Sequence, residues 1–448
     1  MSDKKGLKKS IGFMAALSTV AGTVIGSGVF FKASAVSQST GSISLSMLAW
    51  FVGGIITICA GLTGAELAAA FPETGGLTRY IEHAYGEFWG FLAGWAQAII
   101  YFPANVAALA VVFGTQTCNL LGLDVKWIVP IGMIAAISVA LLNFISAKFG
   151  GWVQSVALVI KLLPLAAIVL LGFMHSDGTN FSLFPVVAGP HHQFWTALGN
   201  ALLATMFAYD GWIHVGNIAG EMKNPRKDLP RAIAIGLTII MIVYMLVNAV
   251  FFWVLPISSI AGNLNAASLA AKHIFGGIGG KIVTVGILIS VYGTINGYTM
   301  TGMRIPYIMG KQKKLPFANV FAKLNKAGVP FAAGLIQYVI AVLMMLSGSF
   351  DQITNMLIFV IWVFYMMAFV AVITLRKTRP DLKRPYKVPL FPWIPIIAIL
   401  GGAFILINTL FTQFTTTIIG IIATLIGVPV YYYLKKKNGG FEDTDFDE

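Results

Sequence analysis

Acidic side chains are scarce in this chain. It has 17 Asp and Glu against 30 Lys and Arg in 448 residues, and charged residues of both signs make up only 10%. Soluble domains carry about 25%. With 57% hydrophobic residues and a mean hydropathy of +0.82, that shortage excludes a soluble globular or disordered chain and marks an integral membrane protein. Cysteine is scarcer still. Cys59 and Cys118 are the only two, both in or at the edge of apolar runs, so they read as small core residues rather than a disulfide or metal ligands. No nucleophile paired with a base, no nucleotide loop and no metal cluster stands out, so neither an enzyme nor a cofactor is expected. The stretch FGGIGGK (275–281) is a Gly-rich turn on the side away from ATP. No small-residue cleavage site follows a short apolar core, so the first apolar run is expected to stay in place.

What the sequence has in quantity is apolar length. A spanning helix needs about 20 mostly apolar residues, and twelve such stretches occur, near 12–36, 43–71, 88–120, 126–147, 153–174, 194–221, 231–256, 282–303, 328–348, 353–375, 390–411 and 415–434. All but five of the 30 Lys and Arg fall on one side of these stretches. Lys32, Lys126, Lys272 and Lys281 lie on the other side and Lys161 within a helix. The positive-inside rule then puts both termini in the cytoplasm of a multi-pass cell-membrane protein. The net charge of +13 orients the chain among its lipids and calls for no nucleic-acid partner. Residues 1–11 and 435–448 read as cytoplasmic ends, the latter finishing in the acidic tail FEDTDFDE.

Two of the twelve stretches are interrupted. The first carries GTVIGSGVF (22–30), with three glycines and two hydroxyls where a membrane helix is ordinarily Leu-rich. The sixth carries FAYDGWIHVG (207–216), with Gly211 and Gly216 beside a charged Asp210. A backbone group left unpaired in hydrocarbon costs several kcal/mol, so a broken helix is tolerated only where it is buried in protein or lines a cavity. Breaks at the first and sixth positions imply two halves of five helices, 12–174 and 194–375, followed by a pair at 390–434. That pattern points to an inverted-repeat transporter with a midplane binding site. The competing reading, a small-residue packing face at Gly22 and Gly26, explains neither Gly28 nor the second break.

The segments GTVIGSGVF, GAELAAAFPETGG, YIEHAYGEFWGFLAGW, GGWVQSVALVIKLLP, FAYDGWIHVGNIAGEMKNPRKDLPRAI and RPYKVPLFPWIPI occur in the order found in the amino acid–polyamine–organocation superfamily. Over nearly its whole length the chain resembles the L-amino acid transporter branch, in particular bacterial serine/threonine and alanine-serine-cysteine exchangers. The resemblance implies an all-α, twelve-span, LeuT-like fold of five plus five inverted helices with the first and sixth broken. It also implies that a substrate α-carboxylate meets free amides at Ile25, Gly26, Ser27 and Gly28, and that its α-ammonium meets free carbonyls there and at Phe207, Ala208, Tyr209, Asp210 and Gly211. A helix N-terminus offers unpaired N–H groups and a C-terminus unpaired carbonyls, so a zwitterion fits between two breaks. Gly26, Ser27 and Gly28 would then lack bulk so that backbone can touch ligand.

Lys161 lies roughly 15 Å into its span at about 1.5 Å per residue, too deep for easy snorkelling, and an intramembrane charge is a functional hypothesis by default. The resemblance implies that it takes the place of a coupling sodium ion, the alternative being a lysine that merely pairs with Asp210 or a carbonyl for packing. Phe207 matches an aromatic gate over the substrate, Asp210 either caps the broken helix or meets an ammonium, and Asn296 reaches towards the first or fifth helix or makes an inert interhelical contact. Glu66 is structural or part of an inner gate with Arg79. Animal members of the branch pair with a glycoprotein chain through a loop cysteine, which the loop after the third stretch lacks, so no such partner is expected. The resulting expectation is sodium-independent exchange of small neutral L-amino acids. Proton-coupled symport and an amino acid sensor on the same fold are the alternatives.

Overall fold

A computed structural model describes residues 12–71, 75–145, 147–175, 181–213, 222–439 and 441. Their regular structure is helical, as hydrocarbon requires of a chain that must satisfy its backbone within each span. The first apolar stretch is two helices, α1 (Phe13–Val24) and α2 (Gly28–Thr40), bent by 42° across a short break. α2 stops at Gly41, whose left-handed φ of 61° suits a residue without a side chain. α3 (Ile43–Ala70) starts on Ser42, whose hydroxyl accepts the Leu45 amide at 3.3 Å.

α4 (Leu77–Tyr85) is a short amphipathic helix, and α5 (Glu87–Ala96) continues through a π turn at Gln97–Tyr101 into α6 (Phe102–Leu121). α7 (Ile128–Ile145), α8 (Ala147–Gly172, with Pro164 inside it) and α9 (Phe194–Ala208) follow. Then come α10 (Pro225–Val254), α11 (Ile257–Ile260), α12 (Ala266–Gly302), α13 (Arg304–Lys311) and α14 (Ala318–Phe321). α15 (Phe331–Ser347), α16 (Phe350–Thr378), α17 (Trp393–Thr412), α18 (Phe414–Leu425) and α19 (Gly427–Asn438) complete the chain.

Among the described residues eight helices are long and apolar enough to cross a membrane, nine if the bent α1–α2 pair counts as one span. Three shorter apolar helices are Ile160–Gly172, Phe194–Ala208 and Phe331–Ser347. The eighth stretch differs most from its sequence reading. α12 begins at Ala266 rather than 282, so the region between the seventh and eighth stretches is mostly helix, and the chain turns within it at Gly276 (φ 73°). A polar helix such as AASLAAKHIF escapes a hydropathy search because its buried face is alanine, not leucine. In the sixth stretch the helix stops at Ala208, and residues 214–221, including Gly216, lie outside the described residues.

Packing brings the two interruptions together. α2 lies against α9, α1 against α10, and α12 against both α8 and α6. The closest approach is at Gly28, where an added Cβ would sit 2.4 Å from the Ala208 Cα, so only glycine lets these backbones meet.

Candidate functional site

The site is best built from its unpaired backbone. The last four carbonyls of a helix have no partner within it, and neither do the first four amides. At the end of α1, the Ala21 carbonyl accepts the Ile25 amide at 2.9 Å, and Ile25 (ψ 87°) leaves the helical region. The next carbonyls need partners from elsewhere. Gly22 receives the Lys161 ammonium from α8, and Val24 receives the Tyr244 hydroxyl from α10 at 2.9 Å. Ser27 then opens α2 in an αR conformation, without a side-chain cap. Its hydroxyl therefore does not consume the first-turn amides, and Gly28 and Val29 at the start of α2 have no intrahelical acceptor. Two half-helix ends thus meet across Ile25, Gly26 and Ser27, one rich in carbonyls and one in amides.

The described part of the sixth stretch ends on a similar carbonyl-rich helix end. α9 ends with Thr205 accepting the Tyr209 amide at 2.9 Å and Phe207 accepting the Asp210 amide at 3.3 Å. The chain then turns through Gly211, whose φ of 113° and approach to the Thr23 carbonyl leave no room for a side chain. The Ala208 carbonyl faces the same Tyr244 hydroxyl, at 3.2 Å. One hydroxyl has one proton, so Tyr244 serves two carbonyls in turn or shares between them. It is the point at which the two breaks are tied to each other.

Asp210 is buried, and its carboxylate accepts from two tyrosines. The Tyr101 hydroxyl donates to Oδ2, and the Tyr365 hydroxyl donates to Oδ1 at 3.0 Å. Tyr101 belongs to the π turn before α6, and Tyr365 to α16. The aspartate therefore binds the sixth-stretch break to two other helices. Lys161 and Asp210 are held by separate partners rather than by each other.

The remaining sequence candidates divide. Gly26 borders Thr294 of α12, 3.1 Å from where a Cβ would stand, so its empty side is close to, though not filled by, a movable side chain. At Gly28 the empty side is filled by Ala208, so its missing side chain serves helix contact and its amide is what remains for a ligand. Phe207 is buried and meets Phe350 edge-on at 5.7 Å. Tyr209 turns its ring away to Trp50, donating to that carbonyl at 3.1 Å, so what it offers at the break is backbone. Asn296 accepts from the Asn143 amide at 2.8 Å, a bond between α12 and α7. Glu66 has partners other than the one expected. Arg376 grips it with two bonds of 2.9 and 2.5 Å, the Val388 amide donates at 2.7 Å, and Arg384 lies 3.6 Å away, whereas Arg79 pairs with Glu82 at 3.2 Å. Cys59 and Cys118 are both buried free thiols, as their apolar setting suggested.

Tyr244, Tyr101 and Tyr365 went unnoticed in the sequence. A signal existed, since a tyrosine hydroxyl deep in an apolar run such as IIMIVYMLVNAV must find a partner. Tyr244→Phe is expected to strand a carbonyl at each break. With about 1–3 kcal/mol per unsatisfied buried group, it should lower the thermal midpoint and weaken substrate binding together. An unchanged midpoint with unchanged binding would show that water replaces the hydroxyl without loss.

The family profile described as amino acid permease matches residues 11–431. The serine/threonine exchanger SteT of Bacillus subtilis (strain 168) is 42% identical, over 97% of this chain and 99% of that protein. The human large neutral amino acids transporter small subunit 2 is 31% identical over 98% of this chain and 83% of its own length. The human cystine/glutamate transporter is 28% identical over 96% and 86%. Helices suited to crossing a membrane, a broken first stretch packed against the end of α9 and a family match along almost the whole length lead to one conclusion: the chain belongs to the amino acid permease family, in the L-amino acid transporter branch of its superfamily, and is a multi-pass membrane transporter rather than an enzyme.

Proposed function

We propose that the chain is a sodium-independent exchanger of small neutral L-amino acids that works by alternating access around the two breaks. The observation that carries this reading is the Lys161 ammonium on the Gly22 carbonyl, beside the first break. A fixed cation there occupies the carbonyl that a mobile sodium ion would otherwise need, and Asn296 of α12, two residues beyond the Thr294 that borders Gly26 and bonded to Asn143 of α7, is assigned a supporting role beside it. The substrate carboxylate is assigned to the amides at Gly26, Ser27 and Gly28, and its ammonium to carbonyls around Ile25 and from Phe207 to Gly211. The small neutral class is supported by the side chains at the breaks. Asp210 is their one carboxylate, and both its oxygens are already taken by tyrosines. The named relatives include a serine/threonine exchanger, and exchange is carried over from it.

The architecture that goes with this reading has twelve spans. They are the eight long helices, the bent pair and the three shorter apolar helices, arranged as a LeuT-like inverted repeat of 12–174 and 194–375 with 390–434 added. The termini are assigned to the cytoplasmic side of the cell membrane, and no glycoprotein partner is assigned.

Purified protein in liposomes preloaded with unlabelled L-serine should take up labelled L-serine many times faster than in empty liposomes. L-alanine and L-threonine should compete and L-arginine should not. Equal uptake by empty liposomes driven by a proton gradient would make the protein a symporter, and binding without uptake would make it a sensor. Competition by arginine as strong as by serine would overturn the substrate class.

A further inference from the structure

Lys32, an outer-side lysine by sequence, is fully buried. It lies on α2 four residues beyond Gly28, hence on the same face and about 6 Å further along the axis. Its ammonium reaches the first turn of α16, 2.6 Å from Asp351 Oδ1 and 2.6 Å from Thr354 Oγ1. The same ammonium stands 4.6 Å from the ring centre of Phe350 and 5.3 Å from that of Phe207. Phe207 immediately precedes Ala208, against which Gly28 packs. One cation thus gathers α2, α9 and α16 on the far side of the first break from α1.

The first turn of α16 is fixed by a capping box in which the Ser349 hydroxyl and the Gln352 side chain satisfy each other's backbone amides. Thr354 spends its own proton on the Phe350 carbonyl at 2.8 Å, which turns a lone pair to the ammonium. Asp351 is 39% exposed, so the pair meets water at its outer edge. An ammonium removed from water is tolerated only when paired and hydrogen-bonded, and the attraction then gained roughly offsets the hydration lost. A contact so balanced can close tightly and still open, because both charges recover water when α2 leaves α16. An apolar contact of the same area would resist opening throughout.

We propose that Lys32, Asp351 and Thr354 form a latch that closes the substrate site towards the outer face, clamping Phe207 over the break, and that it must release once in each outward-facing half of the exchange cycle. Lys32 acts here as a positioning residue. The proposal rests on the reading of the breaks as the substrate site and on the membrane orientation given above.

The test uses the full chain with Cys59→Ala and Cys118→Ala, a reporter at Ser27→Cys, and a membrane-impermeant thiosulfonate applied to the outer face of right-side-out vesicles. Lys32→Met and Asp351→Asn should each speed labelling of position 27 about tenfold or more, since loss of the latch shifts the population towards the open state. The exchanged pair Lys32→Asp with Asp351→Lys should slow it again. A buried ion pair with a purely structural role would lower stability without moving this rate. Labelling within about twofold of the parent in both single variants, at normal surface expression, would overturn the latch. If Lys32→Met fails to reach the membrane, Asp351→Asn and Thr354→Val decide by the same rate. Failure of L-serine to slow labelling in the parent would count against the substrate site, whereas the latch is judged on the ratio between variants and parent.

Discussion

Lys161→Met is expected to leave a folded transporter that exchanges amino acid about ten- to a hundredfold more slowly than the wild type. The estimate follows from the worth of a hydrogen bond from a buried charged group, about 1.5–3 kcal/mol, at about 1.4 kcal/mol per tenfold in rate. Methionine nearly matches lysine in length and fills the same space between α8 and α1, so packing is kept while the donor to Gly22 is lost. The Gly22 carbonyl then has no fixed partner, and the end of α1 loses the anchor that holds it in register with the break. Affinity should change less than rate, because the ammonium steadies the helix end rather than the ligand. Turnover and equilibrium binding measured on one preparation separate the two effects. A wild-type rate would make Lys161 a space-filling residue, and loss of folded protein would make it a structural one.

Gly28→Ala should do more damage to folding than Gly26→Ala, although the two glycines are two residues apart in the same short motif. A Cβ at position 28 would lie 2.4 Å from the Ala208 Cα and 2.8 Å from its Cβ, so α2 and α9 would have to separate along their whole contact. Overpacking of this kind costs about 1–3 kcal/mol, and more where backbone must move. At position 26 the nearest atom is the Thr294 Cγ2 at 3.1 Å, the end of a side chain that can shift. Ala208→Gly should not rescue Gly28→Ala, since it removes the second clash and leaves the first. Thermal midpoints and the yield of monodisperse protein check the order. Equal tolerance at both positions would contradict the contact between the two breaks.

These contrasts mark where sequence was informative. The breaks are legible because glycine and hydroxyl residues interrupt a pattern that hydrocarbon otherwise fills with leucine, and Lys161 because a lone cation at that depth has no ordinary place. Which glycine faces a ligand and which faces a neighbouring helix is not legible, because Ala208 is 180 residues away from Gly28 in the chain. Tyr101 and Tyr365 read as part of their apolar runs, and only tertiary packing turns their hydroxyls onto Asp210. Glu66 was read beside the nearest inward-facing arginine, yet its partner Arg376 is 310 positions away, on α16. The burial of Lys32 is not legible for a different reason. α2 has the polar sequence GVFFKASAVSQST, which looks like a helix leaving the membrane until the burial of its lysine is seen.

The central claim is that a lysine of the protein stands where a coupling cation would bind. The most direct measurement is the initial rate of labelled L-serine exchange in preloaded liposomes, for wild type and Lys161→Met side by side, with sodium present and with sodium replaced by choline. The account predicts that the wild type exchanges equally fast in both media and that Lys161→Met is slow in both. A wild type that needs sodium, or a Lys161→Met protein that exchanges at the wild-type rate without it, would contradict the account.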